Sequence, residues 1–531
     1  VYKRQPYPSG AQTVVSGFRP GDLDALQVRE LGPAITSGRI TAFAVHPLDD
    51  RIIYAASASG GAWKTENAGT TWRPVFEGGG SVSLGAVTLD PLNPETVWLG
   101  TGEQNSVRSS SFGDGVYRSD DGGDTWRHMG LEGSRHIGRI LINPEDSNVV
   151  YVAAMGSLWG PNPDRGLYRT ENGGTTWEKV LAVSDYTGVV EVKMDPRDPD
   201  VLFAATFQRE RRQWSMLGGG DESGLFRSED GGDTWEEVDG GFPTGPLGRI
   251  GITFCPGDPD TLYGSAVGPD GGIFRSTDGG ATWERRNEGI QSHWYYGELI
   301  CDPQDPNRIY VPMTPLYVSE DGGLTFRDLV RTAVHVDHHA LWVNPQDPEH
   351  LLLGNDGGIY ISRDRGESWR WQSNVPVMQL YTVSVDMQEP FYHVYGGTQD
   401  NGSWGGPTGT RFSSGVSNED WIYTAGGDGF HSQVVPTDPN IIYAESQYGV
   451  LQRMDRRTGE RRRIQPWQPQ DGETPAYRWN WSAPLLISPH DPSTLYFAAN
   501  VVFRSPDRGD SWEVISPDLT RQISRDSLPL Q

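Results

Sequence analysis

The chain has 531 residues, of which 35% are hydrophobic, 67 are glycine and 38 are proline, and its formal net charge is −26. This acidic balance argues against a nucleic-acid partner, which needs a basic stripe on the protein. No apolar run approaches the roughly 18 residues of a membrane-spanning helix. The glycine and proline content favours short strands and tight turns over helices.

The first segment of the chain carries no repeat. We expect residues 1–24 to form an N-terminal extension. The chain begins at Val1, and residues 1–10 contain no apolar signal core, so we expect a processed or truncated chain.

A unit of four short strands then recurs along the chain. Each unit begins with two apolar segments around a turn rich in Pro and Asp, as in VKMDPRDPDVLFAAT (192–206), which predicts a β-hairpin. A loop, a third strand, a repeated turn and a fourth strand follow. The repeated turn has the pattern Ser/Thr-x-Asp/Asn-x-Gly-x-x-aromatic and occupies residues 65–72, 119–126, 170–177, 228–235, 276–283, 319–326, 362–369 and 505–512.

The repeated turn has a physical explanation in the copy FRSEDGGDTW (226–235). Asp230 can accept hydrogen bonds from backbone N–H groups of its own turn, and Gly232 can take a positive φ without steric cost. Trp235 opens the returning strand and packs between sheets. The pattern resembles the Asp-box, a stabilising turn that lies away from the ligand face, so we interpret these Asp and Asn residues as structural.

Four antiparallel strands at a period of about 50 residues predict a β-propeller blade. We count ten such units, and two of them (376–424 and 425–475) lack the repeated turn. The predicted fold is therefore all-β, with a closed seven-bladed β-propeller over 25–375 and three blades of a second, incomplete propeller over 376–531. A single ten-bladed ring is the alternative.

The two cysteines, Cys255 and Cys301, end the first strands of neighbouring repeats. A disulfide is one alternative, and we favour two buried thiols. The cysteines therefore leave the redox compartment open.

The densest polar stretch of the chain is VHVDHHALW (334–342). On a strand, His335, Asp337 and His339 would share one face. Imidazole and carboxylate are normal zinc ligands, so these three residues are a candidate divalent metal site. No short metal-binding signature accompanies them, and otherwise we expect no cofactor.

Three aspartates occupy equivalent loops of three successive blades: Asp356, Asp400 and Asp428. Because such loops meet on one face of a propeller, these carboxylates are expected to converge. They would then serve as acid and base, or acid and nucleophile, in glycoside hydrolysis. The alternative is a hydrogen-bonded polar plug at the mouth of the central channel.

Other polar and aromatic residues on the same loop-rich face are candidates for ligand binding. Aromatic rings suit stacking on sugar rings or peptide side chains, although they are equally expected in blade packing. The candidates are Glu103, Arg108, His136, Trp159, Arg212, His293, Trp294, Tyr295, Trp404 and His431.

The phrases SGRITAFAVHP, HVDHHALW, GNDGGIYIS and QDNGSWGG resemble a group of bacterial exported proteins described as BNR-repeat glycosyl hydrolases or sortilin N-terminal domain proteins. The resemblance covers about residues 25–525. More distantly, the repeats resemble the ten-bladed sortilin-type receptors and the xyloglucan-cleaving hydrolases built from two seven-bladed propellers. The first group implies an extracellular or periplasmic location, and its hydrolase label derives from repeats, not from chemistry.

The xyloglucanase resemblance can be followed at individual residues. That family places one catalytic Asp in a segment of the form Thr-Asp-x-Gly-Gly-Ala-Tyr, and this chain has SASGGAW (57–63), with Ala58 at the Asp position. Its other catalytic Asp lies in a segment of the form Gly-Asp-x-Gly-Gly-Phe, for which GNDGGIY (354–360), with Asp356, is the nearest match. One expected carboxylate is therefore missing, and Asp400 or Asp428 would have to replace it.

These observations predict an exported propeller protein that binds a glycan or polypeptide on its loop-rich face, with glycoside hydrolysis by an Asp pair as one form of that function. The alternative is a non-catalytic, sortilin-like module that binds protein or peptide. The sequence gives no oligomeric state.

Overall fold

The computed structural model describes residues 31–105, 110–291, 295–330, 334–468 and 476–528. Within these ranges, 41 strands form ten antiparallel sheets, nine with four strands and one with five. The predicted all-β propeller architecture is confirmed. No helix in the described ranges is long and apolar enough to cross a membrane.

Strands follow chain order across each of the first five sheets, and the fourth sheet has one additional strand, which pairs with its second strand outside this order. The strands of these sheets are β1 (Ile40–Val45), β2 (Ile53–Ser57), β3 (Ala62–Thr65) and β4 (Arg73–Pro74); β5 (Leu84–Leu89), β6 (Val97–Thr101), β7 (Val116–Ser119) and β8 (Arg127–His128); β9 (Ile137–Ile142), β10 (Val150–Ala154), β11 (Gly166–Thr170) and β12 (Glu178–Leu181); β13 (Thr187–Asp195), β14 (Asp198–Arg211), β15 (Met216–Gly218), β16 (Leu225–Ser228) and β17 (Glu236–Glu237); β18 (Ile250–Cys255), β19 (Asp258–Ala266), β20 (Gly272–Ser276) and β21 (Glu284–Asn287).

The sixth to tenth sheets repeat the same order. Their strands are β22 (Ile300–Cys301), β23 (Ile309–Pro312), β24 (Leu316–Ser319) and β25 (Arg327–Asp328); β26 (His338–Val343), β27 (Leu351–Asn355), β28 (Gly358–Ser362) and β29 (Arg370–Trp371); β30 (Leu380–Val385), β31 (His393–Thr398), β32 (Ser403–Pro407) and β33 (Ile422–Ala425); β34 (Gly429–Val435), β35 (Asp438–Ser446), β36 (Val450–Asp455) and β37 (Arg461–Arg463); β38 (Leu485–Ile487), β39 (Leu495–Ala498), β40 (Val502–Ser505) and β41 (Glu513–Val514). Short 3-10 turns lie at Glu132–Ser134, Asn418–Asp420, Gln447–Gly449 and Arg525–Ser527.

The repeated turn joins the third and fourth strands of a sheet through side-chain to backbone hydrogen bonds. Between β16 and β17, the Ser228 hydroxyl accepts from the Gly232 N–H, and Asp230 Oδ1 accepts from the Thr234 N–H, each at 2.9 Å. Gly232 has a φ of +91°, in the region that favours glycine. The indole N–H of Trp235 donates to the Gly232 carbonyl at 3.0 Å. Short-range contacts therefore fix each turn.

Apolar side chains pack the first sheet against the seventh. Ile53 of β2 lies in one buried cluster with Leu352 of β27 and Ile361 of β28. Just before β1, the Ser37 N–H donates to the Gly357 carbonyl at 3.2 Å. The first and seventh sheets are thus neighbours in space. The predicted division of the chain into 25–375 and 376–531 stays a prediction.

Cys255 and Cys301 form a disulfide between the first strands of the fifth and sixth sheets, with Cα atoms 5.1 Å apart. The favoured interpretation of two buried thiols is therefore wrong. Both residues pack in one apolar cluster, and adjacent first strands of a propeller bring their side chains within bonding reach.

Replacing both cysteines by alanine is expected to destabilise the protein by about 2–4 kcal/mol, because the bond closes a loop between positions 46 residues apart in the chain. Urea unfolding of the double variant beside the oxidised protein measures this difference. The oxidised protein treated with a reductant is the control and should approach the variant. Equal urea midpoints for the double variant and the oxidised protein would contradict a stabilising disulfide between Cys255 and Cys301.

Candidate functional site

Polar side chains from four sheets meet on one face of the molecule. Arg39 precedes β1, Glu103 follows β6, Asp356 lies between β27 and β28, and Asp400 lies between β31 and β32. Each residue lies at the start of a first strand or in the loop after a second strand. These are the loops that the propeller topology places on one face.

Arg39 is the centre of this cluster. Its Nε and Nη2 bind the two carboxylate oxygens of Asp356 at 2.7 and 3.0 Å. Its Nη1 binds Glu103 Oε1 at 2.7 Å, and Nη2 also contacts Asp400 Oδ2 at 3.0 Å. The guanidinium is buried, and its bidentate geometry toward Asp356 is the strong form of this pair. One cation therefore joins the first, second, seventh and eighth sheets.

Asp356 is buried and fully occupied by partners of the chain. Besides Arg39, His339 Nε2 lies 2.8 Å from Asp356 Oδ1, and the Tyr295 hydroxyl donates to Oδ2 at 3.3 Å. Burial alone would raise the pKa of Asp356, but Arg39 and His339 hold it well below its ordinary value. The low pKa makes Asp356 a poor proton donor, and its contacts with Arg39 and His339 engage both carboxylate oxygens.

Asp400 differs from Asp356 in exposure and in protonation. Its side chain is 24% exposed. Burial, followed by the nearby charge of Asp356, raises the pKa of Asp400 to about 10. Its backbone lies in the left-handed region with a φ of 63°, and its N–H donates to Asp428 Oδ1 at 2.9 Å. At neutral pH this side chain is a carboxylic acid that can donate a proton or a hydrogen bond.

The cluster extends to the ninth sheet through two residues. Asp428 lies just before β34, and Gln447 lies in the turn after β35. Asp428 Oδ2 accepts from Gln447 Nε2 at 2.7 Å, and the Asp428 N–H donates to Gln447 Oε1 at 3.1 Å. His431 lies on β34 and is partly buried, which lowers the pKa of its imidazole. The structure therefore brings Asp356, Asp400 and Asp428 into one connected network.

The three candidate metal ligands do not share a strand face. β26 begins only at His338, and Asp337 has a φ of 63°, so the alternation assumed from the sequence is wrong. Asp337 accepts a hydrogen bond from the Tyr296 hydroxyl, His335 faces the Val336 carbonyl, and His339 faces Asp356. Across the described residues, no group of three or more His, Cys, Asp or Glu side chains is arranged to hold a metal ion.

The candidate ligand-binding residues divide by burial. Glu103, His136 and Trp404 are buried. Burial, followed by the charge of Arg209, lowers the pKa of His136 to about 3, so this imidazole is neutral. Trp404 donates to the Asn401 carbonyl at 2.7 Å. These three side chains therefore lie inside the protein and not on its surface.

The remaining candidates lie nearer the surface or outside the described ranges. Trp159 is 53% exposed, with the Arg211 guanidinium 5.8 Å from its ring centroid. Arg212 pairs with Glu210, and Tyr295 packs edge-on against His339. Three candidates fall outside the described residues, namely Arg108, His293 and Trp294.

Sequence reasoning missed an exposed aromatic group beside Asp428. Tyr448, in the turn after β35, is 52% exposed and packs edge-on against Trp481 at 5.1 Å between ring centroids. Trp481 in turn contacts Phe430, which stacks on Tyr381. The signal was the segment AESQYG (444–449), whose Tyr follows a strand directly and lies on the loop-rich face.

Asp400→Asn is expected to flatten the pH dependence of stability. The unfolded chain releases the Asp400 proton near its ordinary value of 3.8, whereas the folded chain keeps it to about pH 10, so stability falls as pH rises through this window. The amide of the variant mimics the neutral acid. The melting temperature of the variant should therefore exceed that of the unmodified protein at pH 8–9, and the two melting temperatures should match near pH 4. Parallel pH profiles would show that Asp400 is already ionised.

No family model matches the chain. Its sequence is 27% identical over 312 residues to a xyloglucanase of Paenibacillus sp. This alignment covers 52% of this chain and 30% of that relative. It is 24% identical over 402 residues to the oligoxyloglucan-reducing end-specific xyloglucanase of Emericella nidulans, covering 64% of this chain and 46% of the relative. The chain thus spans 30% and 46% of the lengths of these two relatives.

The fold is similar to that of a solved xyloglucanase from Xanthomonas campestris. The TM-score is 0.55 at 18% sequence identity, over 92% of this chain and 81% of that structure. At this identity the likeness shows the fold alone: a propeller architecture shared with glycoside hydrolases.

Proposed function

We propose that this chain is an exported β-propeller protein that binds a glycan on its loop-rich face, across the junction of the eighth and ninth sheets. The binding surface consists of the acid Asp400, the Asp428–Gln447 pair and the exposed ring of Tyr448. The similar proteins from Paenibacillus sp. and Emericella nidulans are xyloglucanases, which supports a xyloglucan-like polysaccharide as the ligand class.

One observation carries the proposal: Tyr448 is held outward in a strained conformation beside hydrogen-bonding acids. Its φ is 60°, a region that non-glycine residues rarely adopt and that clusters at ligand sites. The Tyr448 N–H donates to the Trp481 carbonyl at 3.3 Å, and the preceding Gln447 is fixed by Asp428. An exposed ring next to fixed acceptors suits a sugar, which offers a C–H face and hydroxyl groups.

Tyr448→Ala is expected to weaken binding to soluble xyloglucan about tenfold, because loss of ring stacking costs about 1–1.5 kcal/mol. Affinity gel electrophoresis and calorimetry with xyloglucan measure this change. The matched control is Tyr392→Ala, which removes a ring that is 47% exposed in the turn between β30 and β31. Equal affinities for the two variants would contradict the proposed surface. Binding of peptides but not glycans would favour the receptor-like alternative.

Glycoside hydrolysis is the second candidate function, and the protonation of Asp400 favours it. A neutral, partly exposed carboxylic acid is what a glycosidic oxygen needs as proton donor, and Asp428 is the nearby carboxylate that could take a proton from water. The ion pair with Arg39 weighs against Asp356 in these roles. The absence of an Asp at Ala58 weighs against the xyloglucanase pairing of carboxylates.

A measurement of the reducing ends released from xyloglucan distinguishes glycoside hydrolysis from glycan binding alone. If the chain hydrolyses glycan, Asp400→Asn should lower the rate at least 100-fold while binding stays within a factor of about two, because general acid catalysis contributes about 10²–10⁴-fold. If the chain only binds, neither the unmodified protein nor the variant releases sugar. Release that survives Asp400→Asn would exclude this acid.

The disulfide supports the proposed export, since such bonds persist in extracellular and periplasmic compartments. For 376–531 we propose three blades of a second propeller. β30, the first strand of the eighth sheet, leaves Leu380, Val383 and Val385 exposed at 51%, 62% and 47%, which is unusual for the inner strand of a complete propeller.

A further inference from the structure

An exposed tryptophan lies in the loop after β10, the second strand of the third sheet, and therefore on the loop-rich face. Trp159 is 53% exposed, whereas the preceding Leu158 is 2% exposed. Single exposed apolar side chains are common on protein surfaces. What sets Trp159 apart is the way in which the chain holds it.

Buried arginines hold the backbone of this loop. Arg165 Nη2 donates to the carbonyls of Ser157 and Gly160 at 2.6 and 3.2 Å, on either side of the tryptophan. Arg209 Nη2 donates to the Gly156 carbonyl at 3.3 Å. Both arginines are 1% exposed. The main chain that carries the exposed ring is therefore fixed from inside the protein.

Two further hydrogen bonds fix the residues at the tip of the loop. The Arg211 N–H donates to the Leu158 carbonyl at 2.8 Å. The Trp159 N–H lies 3.2 Å from the Ser157 hydroxyl, to which it donates. Ordering a loop at a binding surface costs affinity, and a loop that is already ordered avoids this cost. The tryptophan ring is thus presented in a form suited to binding.

The exposed ring also contacts the part of the fold that departs from the repeat. The fourth sheet is the one sheet of five strands among the described residues. Its second strand, β14, continues to Arg211, which pairs there with Met216 of the additional strand β15. This extension places the Arg211 guanidinium 5.8 Å from the centroid of the Trp159 ring. A cation–π contact therefore joins the added strand pair to the exposed ring.

The tip of the hairpin beyond Arg211 is polar. The Arg212 side chain is 41% exposed and pairs with Glu210, and Gln213 is exposed. A pyranose has an apolar C–H face with hydroxyl groups at its edge, so it matches one aromatic ring beside hydrogen-bonding side chains. An apolar peptide anchor would instead fill a pocket that removes it from water. The chemistry here favours a sugar ring.

We propose that Trp159 and Arg211 form a second glycan-binding subsite, on the third and fourth sheets, in which the indole stacks on one pyranose ring. The inference rests on the proposed function for the class of ligand but not for its location. The Tyr448 surface lies on the eighth and ninth sheets and shares no residue with this subsite. Arg165 and Arg209 are positioning residues that hold the loop.

Trp159→Ala is expected to weaken binding to soluble xyloglucan about three- to tenfold, because the variant loses the stacking ring. Trp159→Tyr keeps an aromatic ring and should restore most of the affinity. Affinity gel electrophoresis and calorimetry with the full chain measure both changes. The melting temperatures of the variants should stay within about 2 °C of that of the unmodified protein, because a surface substitution changes stability little.

Phe412→Ala is the control. Phe412 is 75% exposed, but it lies between β32 and β33, in the turn that joins the third and fourth strands of its sheet. Such turns lie at the other end of the strands from the loop-rich face, so this variant should bind xyloglucan like the unmodified protein.

The outcomes separate this subsite from the Tyr448 surface. If Trp159→Ala binds like the control while Tyr448→Ala binds weakly, the subsite is rejected and the proposed function stands. If Trp159→Ala binds weakly and Tyr448→Ala does not, the subsite is supported and the Tyr448 surface is rejected. A loss that Trp159→Tyr does not restore also rejects the subsite. An unmodified protein that binds no xyloglucan rejects both.

Discussion

The loop-rich face depends on the ion pairs of Arg39. This one guanidinium contacts three carboxylates from three other sheets, so the burial of each carboxylate depends on the same cation. One positive charge does not balance three negative ones at low dielectric, so the three carboxylates differ in pKa. Asp356 takes the bidentate contact and stays ionised. Burial raises the pKa of Glu103, and the pKa of Asp400 rises to about 10. This difference in pKa among the three carboxylates determines which of them can donate a proton.

The parts of the fold that the sequence predicted are those with short-range causes. Asp230 bonds to Thr234 only four positions away, so the repeated turn can be recognised in a single copy. The meeting of Asp356 and Asp400 also followed from topology, because equivalent loops of successive blades share a face. The partner of Asp356, however, lies 317 positions away in the chain, and no local pattern marks Arg39 as its counter-ion.

The errors have equally specific causes. The alternation in VHVDHH assumed a strand from His335 onward, but Asp337 takes a left-handed conformation and the strand begins after it. The cysteine pair was misjudged because two cysteines alone give no information about compartment. Burial could not be inferred for His136, since a loop residue is exposed by default and tertiary packing decides otherwise.

Charge balance also decides which carboxylate of the Arg39 cluster can act on a ligand. The chain supplies three carboxylates to one guanidinium, and the pKa values of Glu103 and Asp400 are raised. The side chains of Glu103 and Asp356 are 1% exposed, whereas that of Asp400 is 24% exposed. Asp400 is therefore the acid of this cluster that a neutral hydroxyl group of a ligand can reach.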